Sequence, residues 1–122
     1  MSVIDADGRF LGGAIMAGPR LSVDALSTGT SQLPRIDLDL PAKVVGSNTV
    51  SAMQSGAIYG HAAMVDGLID RVETELGGRV GGVVATGGLA KVIIPQCRRD
   101  ITVDETLMLD GLRIIYEKNK DL

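Results

Sequence analysis

Val83-Val84-Ala85-Thr86-Gly87-Gly88-Leu89-Ala90 decides the fold class of this chain. A β-branched run that stops at two glycines and restarts with helix formers reads as strand, tight turn and helix. Glycine tolerates positive φ and carries no side chain, so another molecule can come close to the backbone there. The helix that follows aims its unpaired N–H groups at the gap, which favours a phosphate or another anion. A plain strand-to-helix turn carries the same signature, so the rest of the chain has to separate the two.

Upstream lies a long helix, capped by Asn48 or Thr49 and running to Leu76. Val65, Leu68, Ile69, Val72 and Leu76 recur at helical spacing and make its second half amphipathic. Its first half carries a stripe of small residues, Ala52, Gly56, Gly60 and Ala63. Each interior glycine costs about 1 kcal/mol relative to alanine, so the stripe implies close contact with a sheet, a second helix or a ligand. Gly77-Gly78 supplies the helix stop. The carboxylates Asp66, Asp70 and Glu73 share one face and read as solvated surface charges.

At the N-terminal end, Ser2-Val3-Ile4 and Phe10-Leu11 flank Asp5-Ala6-Asp7-Gly8, which is hairpin chemistry. The same residues hint at a calcium loop, but the twelfth loop position is Met16 where a bidentate Glu belongs. The second arm continues through Gly12 to Gly18, and glycine within a strand often marks a close approach by a ligand or another backbone. Pro19 opens a helix from about Arg20 to Ser27. Thr28-Gly29-Thr30 ends it, Leu33 to Ile36 is extended, and residues 37–48 read as surface loop.

Downstream of the glycine pair, a short helix is expected from Leu89 to Ile94, closed by Pro95. Asp100 to Val103 is briefly extended. Thr106 or Asp104 caps a last helix over about Leu107–Lys118, with Leu109, Leu112 and Ile115-Tyr116 as its apolar face. The order of elements describes an α/β layered domain, residues 1–122 forming one unit. Only three strands stand out, few for a sheet under so many helices, which suggests a strand preceding Met1.

Composition narrows the function. The 122 residues are 45% hydrophobic, yet only Phe10, Tyr59 and Tyr116 are aromatic, so Val, Ile, Leu, Ala and Met must build the core. A net charge of −3 offers no basic stripe for nucleic acid. The single cysteine, Cys97, cannot form an internal disulfide, which points to a reducing cytoplasm. Neither Cys97 nor His61 has partners at metal-ligand spacing. No signal peptide precedes the first strand, and no apolar run is long enough to span a membrane. Dinucleotide and Gly-Lys-Ser/Thr phosphate-loop motifs are missing as well.

Seven blocks in order resemble the C-terminal half of a type III pantothenate kinase. They begin with Asp5-Ala6-Asp7-Gly8-Arg9-Phe10-Leu11-Gly12-Gly13, then Ile15, Gly18, Arg20-Leu21 and Asp24-Ala25-Leu26. Thr30 and Leu33-Pro34 follow, then Gly46-x-x-Thr49, Met53-Gln54-Ser55-Gly56 and Tyr59-Gly60. Val65-Asp66-Gly67, Ala85-Thr86-Gly87-Gly88-Leu89-Ala90 and Leu109-x-Gly111-Leu112-x-x-Ile115-Tyr116 complete the set.

The resemblance implies the second domain of an actin-like, sugar-kinase-like (ribonuclease H-like) fold, incomplete at its N-terminus. It implies transfer of the γ-phosphoryl group of ATP to pantothenate, the first step of coenzyme A synthesis, by a cytoplasmic homodimer. Thr86, Gly87 and Gly88 would form the adenosine-side loop, with Gln54, Ser55 and Gly56 on the helix facing the nucleotide. Gly12, Gly13, Ile15, Gly18, Arg20 and Thr30 would line the pantothenate pocket, Thr30 reaching toward a partner subunit's site. Mg²⁺ and a monovalent cation are implied by the family, with no ligands in this chain. Ala17 stands where the family has proline before the glycine, and Pro19 lies beyond Gly18, which puts the shape of the pocket loop in doubt. The phosphate loops and the catalytic aspartate with its arginine would lie before Met1, so these residues alone are expected to be inactive. A non-catalytic dimerisation or ligand-binding module is the alternative.

Overall fold

A computed structural model describes residues 1–122. Strands β1 (Ser2–Ile4) and β2 (Phe10–Gly13) open the chain, followed by helices α1 (Pro19–Gly29) and α2 (Thr49–Leu76). Then come β3 (Val84–Ala85), the short helix α3 (Ala90–Ile93), a 3-10 turn over Ile94–Gln96, β4 (Thr102–Val103) and α4 (Leu107–Asn119).

The hairpin forms as its turn chemistry predicts. Asp5 Oδ1 accepts the N–H groups of Asp7 at 2.9 Å and Arg9 at 2.8 Å, and the Arg9 guanidinium binds Asp5 and Asp7. β1 and β2 are antiparallel, with Ser2 opposite Gly13 and Val3 opposite Gly12. A Cβ on Gly13 would overlap the carbonyl oxygen of Met1, so only glycine lets the two backbones lie this close.

The long helix has the bounds its caps dictate. Asn48 Oδ1 accepts the Ser51 N–H at 2.9 Å, while the Ser51 hydroxyl accepts the Asn48 N–H at 3.2 Å, a reciprocal capping box. Gly77, left-handed at φ 74°, ends it. Helix α1 runs one residue earlier and two later than expected. Its end is extended by hydroxyls that bond back to the preceding turn, Thr28 to Asp24 O and Thr30 to Leu26 O, both at 2.8 Å.

One expectation downstream of α2 needs correction. The α3 helix is one turn long, and Pro95 does not close it but sits inside the following 3-10 turn, where its missing N–H costs nothing. The brief extended stretch forms as expected and holds a strand that pairs in parallel with β3, Val84 opposite Thr102 and Ala85 opposite Val103. A chain of this length is long enough to bury a real core, yet only ten of 122 residues are buried. Eight are of the apolar types that composition demanded, the other two being Pro41 and Ser55, and six of the eight form two patches along α2. One joins Val23, Met53 and Ala57, the other Ile58, Ala62 and Ile93.

The two ladders, β1–β2 and β3–β4, do not hydrogen-bond to each other. The total accessible surface is 8791 Å², against about 6,200 Å² for a compact monomer of this mass. Helix α4 shows where the excess lies: it buries no residue, leaving Leu112 57% and Tyr116 69% exposed. Its apolar face packs on nothing in this chain.

Candidate functional site

The glycine turn stands free. Gly87 has φ +109°, a conformation that a side chain strains, and no atom lies within 4 Å of where a Cβ on Gly87 or Gly88 would point. Thr86, Gly87 and Gly88 are all exposed. The turn leads into α3, whose Ile93 packs on Ile58 and Ala62 of α2 with Leu89 and Val92 beside them. This contact sets the turn beside the middle of α2, one helical turn beyond the Gln54-Ser55-Gly56 block.

Those three residues divide in role. Gly56 is exposed and lines a 540 Å³ pocket between α1 and α2 together with Ala52, Met53 and His61. Gln54 and Ser55 instead hold the chain that precedes the helix. Gln54 Nε2 donates to Asp37 O at 3.2 Å, the buried Ser55 hydroxyl donates to Val44 O, and Tyr59 OH donates to Pro41 O at 3.1 Å. Residues 37–44 are thus strapped onto α2 by three side chains that donate to backbone carbonyls. Sequence alone read this segment as surface loop. Within it Pro41 is buried and Leu38, an apolar residue between two aspartates, packs against the Val23, Met53 and Ala57 patch.

The small-residue stripe is open. Ala52, Gly56, Gly60 and Ala63 are all exposed, and a Cβ at Gly56 or Gly60 would meet nothing within 4 Å. At Ala52 the Gly46 backbone lies so close that a Cβ on Gly46 would overlap the helix main chain, but Gly56 and Gly60 have no such neighbour in this chain. His61 borders the same pocket: its Nε2 lies 3.0 Å from Ala17 O, while its buried Nδ1 has no hydrogen-bond partner.

The residues assigned to the second substrate lie along the hairpin and α1. Gly12 and Gly13 sit in β2, Ile15 is fully exposed just beyond it, and Gly18 is the extended N-cap of α1. Arg20 and Thr30 are exposed at opposite ends of that helix. The Thr30 hydroxyl donates to Leu26 O and accepts the Leu33 N–H at 3.3 Å, so it also closes the helix end. This second group therefore spreads over one surface instead of converging on an enclosed pocket.

The acidic trio of α2 is not a solvated face. Asp66 accepts the N–H groups of Arg98 at 2.8 Å and Arg99 at 3.1 Å. Arg99 then binds Asp70 and Glu73, each at 2.7 Å. The hydrogen bond from Arg99 holds the Glu73 carboxyl below the usual carboxylate range, with the Val80 N–H assisting against partial burial. Burial pushes the Cys97 thiol up, and the Asp66 charge adds to that. Spacing on α2 could not reveal this clasp, because its partners lie some thirty residues downstream.

No group of three or more His, Cys, Asp or Glu side chains stands close enough to hold a metal ion. No helix is long and apolar enough to cross a membrane.

Residues 1–71 match the model of a protein family described as type III pantothenate kinase. Curated relatives carrying that name align over nearly the whole chain. One from Koribacter versatilis (strain Ellin345) is 47% identical over 118 residues, covering 97% of this chain and 43% of the relative. One from Mycobacterium sp. (strain KMS) is 43% identical over 124 residues, covering 99% of this chain and 46% of the relative. One from Anaeromyxobacter sp. (strain K) is 48% identical over 118 residues, covering 97% and 46%. The chain thus spans slightly less than half the length of these relatives, in their C-terminal part.

Proposed function

Because the chain belongs to the type III pantothenate kinase family, we propose that it is the C-terminal half of an ATP-dependent kinase that phosphorylates pantothenate. The observation that carries this reading is the open Thr86–Gly88 turn, held against α2 by the packing of α3. An exposed left-handed glycine with free space above it suits the flat approach of an adenosine. Gly56, on the same stretch of α2, offers a second surface without side chains. Gln54 and Ser55 support that surface from behind by fixing the 37–44 strap.

In this reading Gly12, Gly13, Ile15, Gly18, Arg20 and Thr30 contribute to the pantothenate side, completed by another domain or subunit. The Arg20 guanidinium is a fit partner for the pantothenate carboxylate. Phosphoryl transfer needs phosphates, a cation and a base held in register. In this reading the family's Mg²⁺ and monovalent cation complete that register, held by groups of the preceding half. We therefore assign the chain binding and orientation, and we expect no catalysis by these 122 residues alone. The domain type is the actin-like, ribonuclease H-like one, acting in the cytoplasm as a homodimer.

A second reading, a non-catalytic dimerisation or ligand-binding module, draws on the large exposed surface and the uncovered α4. A coupled assay with ATP, Mg²⁺ and pantothenate separates the two. Activity in the full-length parent and none in the isolated chain is the expected result. A parent that releases no ADP and transfers no phosphoryl group to pantothenate, while the chain forms a stable dimer, favours the module.

A further inference from the structure

The imidazole of His61 reaches from α2 to a loop that little else holds. Its Nε2 lies 3.0 Å from the carbonyl oxygen of Ala17, 44 residues earlier. A carbonyl oxygen only accepts, so Nε2 carries the proton and donates it. The buried Nδ1 makes no hydrogen bond, which leaves the Ala17 contact as the one polar tie of the ring.

Residues 15–17 join two elements that are anchored without them. β2 is fixed by its ladder with β1, which ends at Ala14, bonded to Met1 through both its N–H and its carbonyl. α1 is fixed by Val23 packing on Met53 and Ala57, and its first turn is closed by the Ser22 N–H donating to Gly18 O at 2.9 Å. Between these anchors the bond from His61 is the sole hydrogen bond that residues 15–17 make. Of their side chains only Met16 is part-buried, Ile15 and Ala17 being exposed. Each residue has two soft backbone torsions, so a fixed donor removes freedom that little else restrains. The donor is itself held firmly, between the fully buried Ile58 and Ala62, which is 2% exposed.

The loop carries Ile15 and separates Gly13 from Gly18 and Arg20, all four assigned above to the pantothenate side. We propose that His61 is a positioning residue for that side. By donating from Nε2 to Ala17 O it fixes the course of residues 15–17, and so sets Ile15 against Gly18 and Arg20. The identity of the ligand rests on the kinase reading above, whereas the tether does not.

His61 is the only histidine of the 122 residues, so nitrogen-15 NMR of the chain reads its ring directly. In the neutral ring the proton is expected on Nε2. A neutral ring protonated at Nδ1 overturns the tether. In the full-length parent, His61→Phe keeps a ring and removes the donor. It should raise the KM for pantothenate about 3- to 10-fold, with kcat and the KM for ATP within about twofold. The Tm should fall by no more than about 4 °C, since neither α1 nor β2 is anchored by this bond. His61→Gln sets an amide N–H at the reach of Nε2 and should restore the KM. His61→Asn, whose N–H falls short at the Nδ1 position, should not. An active parent in which His61→Phe leaves the pantothenate KM unchanged overturns the positioning role and spares the kinase reading. Equal losses in His61→Gln and His61→Phe, in step with Tm, make the ring a packing residue and overturn the role as well. A parent that transfers no phosphoryl group to pantothenate, with the proton found on Nε2, sinks the kinase reading and the positioning role built on it.

Discussion

The carboxylate of Asp66 accepts the main-chain N–H of Arg99, 33 residues further along, at 3.1 Å. With the Arg98 N–H on its other oxygen, Asp66 pins the turn before β4 to the outer half of α2. Arg99 returns the contact through Asp70 and Glu73. In a chain with only ten buried residues, this polar clasp is a long-range tie that does not depend on apolar burial.

Asp66→Ala leaves two backbone N–H groups without their acceptor. The expected loss is about 1–3 kcal/mol of stability, read as a lower Tm or urea midpoint. An unchanged midpoint would mean that water replaces the carboxylate at no cost.

Acid should weaken the same clasp. Arg99 holds the Glu73 carboxyl below its usual range, so folding gains stability from it above the unfolded value and loses that gain as pH falls through the folded one. Glu73→Gln should flatten the acid limb of the stability–pH curve below about pH 4.5. Parallel acid limbs in the two proteins would refute the assignment.

Cys97 should be a slow nucleophile. Burial raises its pKa first and the Asp66 charge second, and its sulfur points at the carbonyls of Ile93 and Ala62. At pH 8 alkylation should run well below the rate of an unhindered thiol, because less thiolate is present. Asp66→Asn should raise the rate modestly. Alkylation as fast as that of a small free thiol contradicts the half-buried placement.

Gly87→Val forces a β-branched residue to φ +109°, at a backbone cost of about 1–3 kcal/mol. In the full-length parent it should weaken ATP binding with little effect on dimerisation, as titration calorimetry and light scattering would show. Nucleotide affinity equal to wild type would remove the turn from the adenosine site.

Thr30→Val takes a donor from Leu26 O and an acceptor from the Leu33 N–H. Stability of the isolated chain should fall by about 0.5–1.5 kcal/mol. In the parent, a rise in the Michaelis constant for pantothenate beyond what the stability loss explains would place the hydroxyl at the substrate. A stability change alone makes Thr30 a helix-end residue and nothing more.

Much of this arrangement was legible in the sequence because the signals are local. The hairpin follows from Asp5 and Gly8 answering each other within four residues. The bounds of α2 follow from the Asn48 cap and the Gly77 stop, and the turn at Gly87 from a β-branched run meeting two glycines. The family resemblance covers the same segments, and residues 1–71 match its model. The strap over residues 37–44 and the acidic clasp were missed because a carbonyl acceptor has no side-chain signature. A carboxylate on a helix face looks alike whether water or a distant guanidinium meets it.

Hydrogen bonds between near neighbours and apolar periodicity thus determined the elements and their caps from sequence alone, and the ordered motif blocks carried the family resemblance. The tertiary structure decided which of those elements meet. It set α3 on Ile58 and Ala62, turned Gln54, Ser55 and Tyr59 toward the strap, and left α4 and the small-residue stripe uncovered. Burial and long-range pairing depend on which surfaces come together in space, and residue order along one chain does not encode that until it folds.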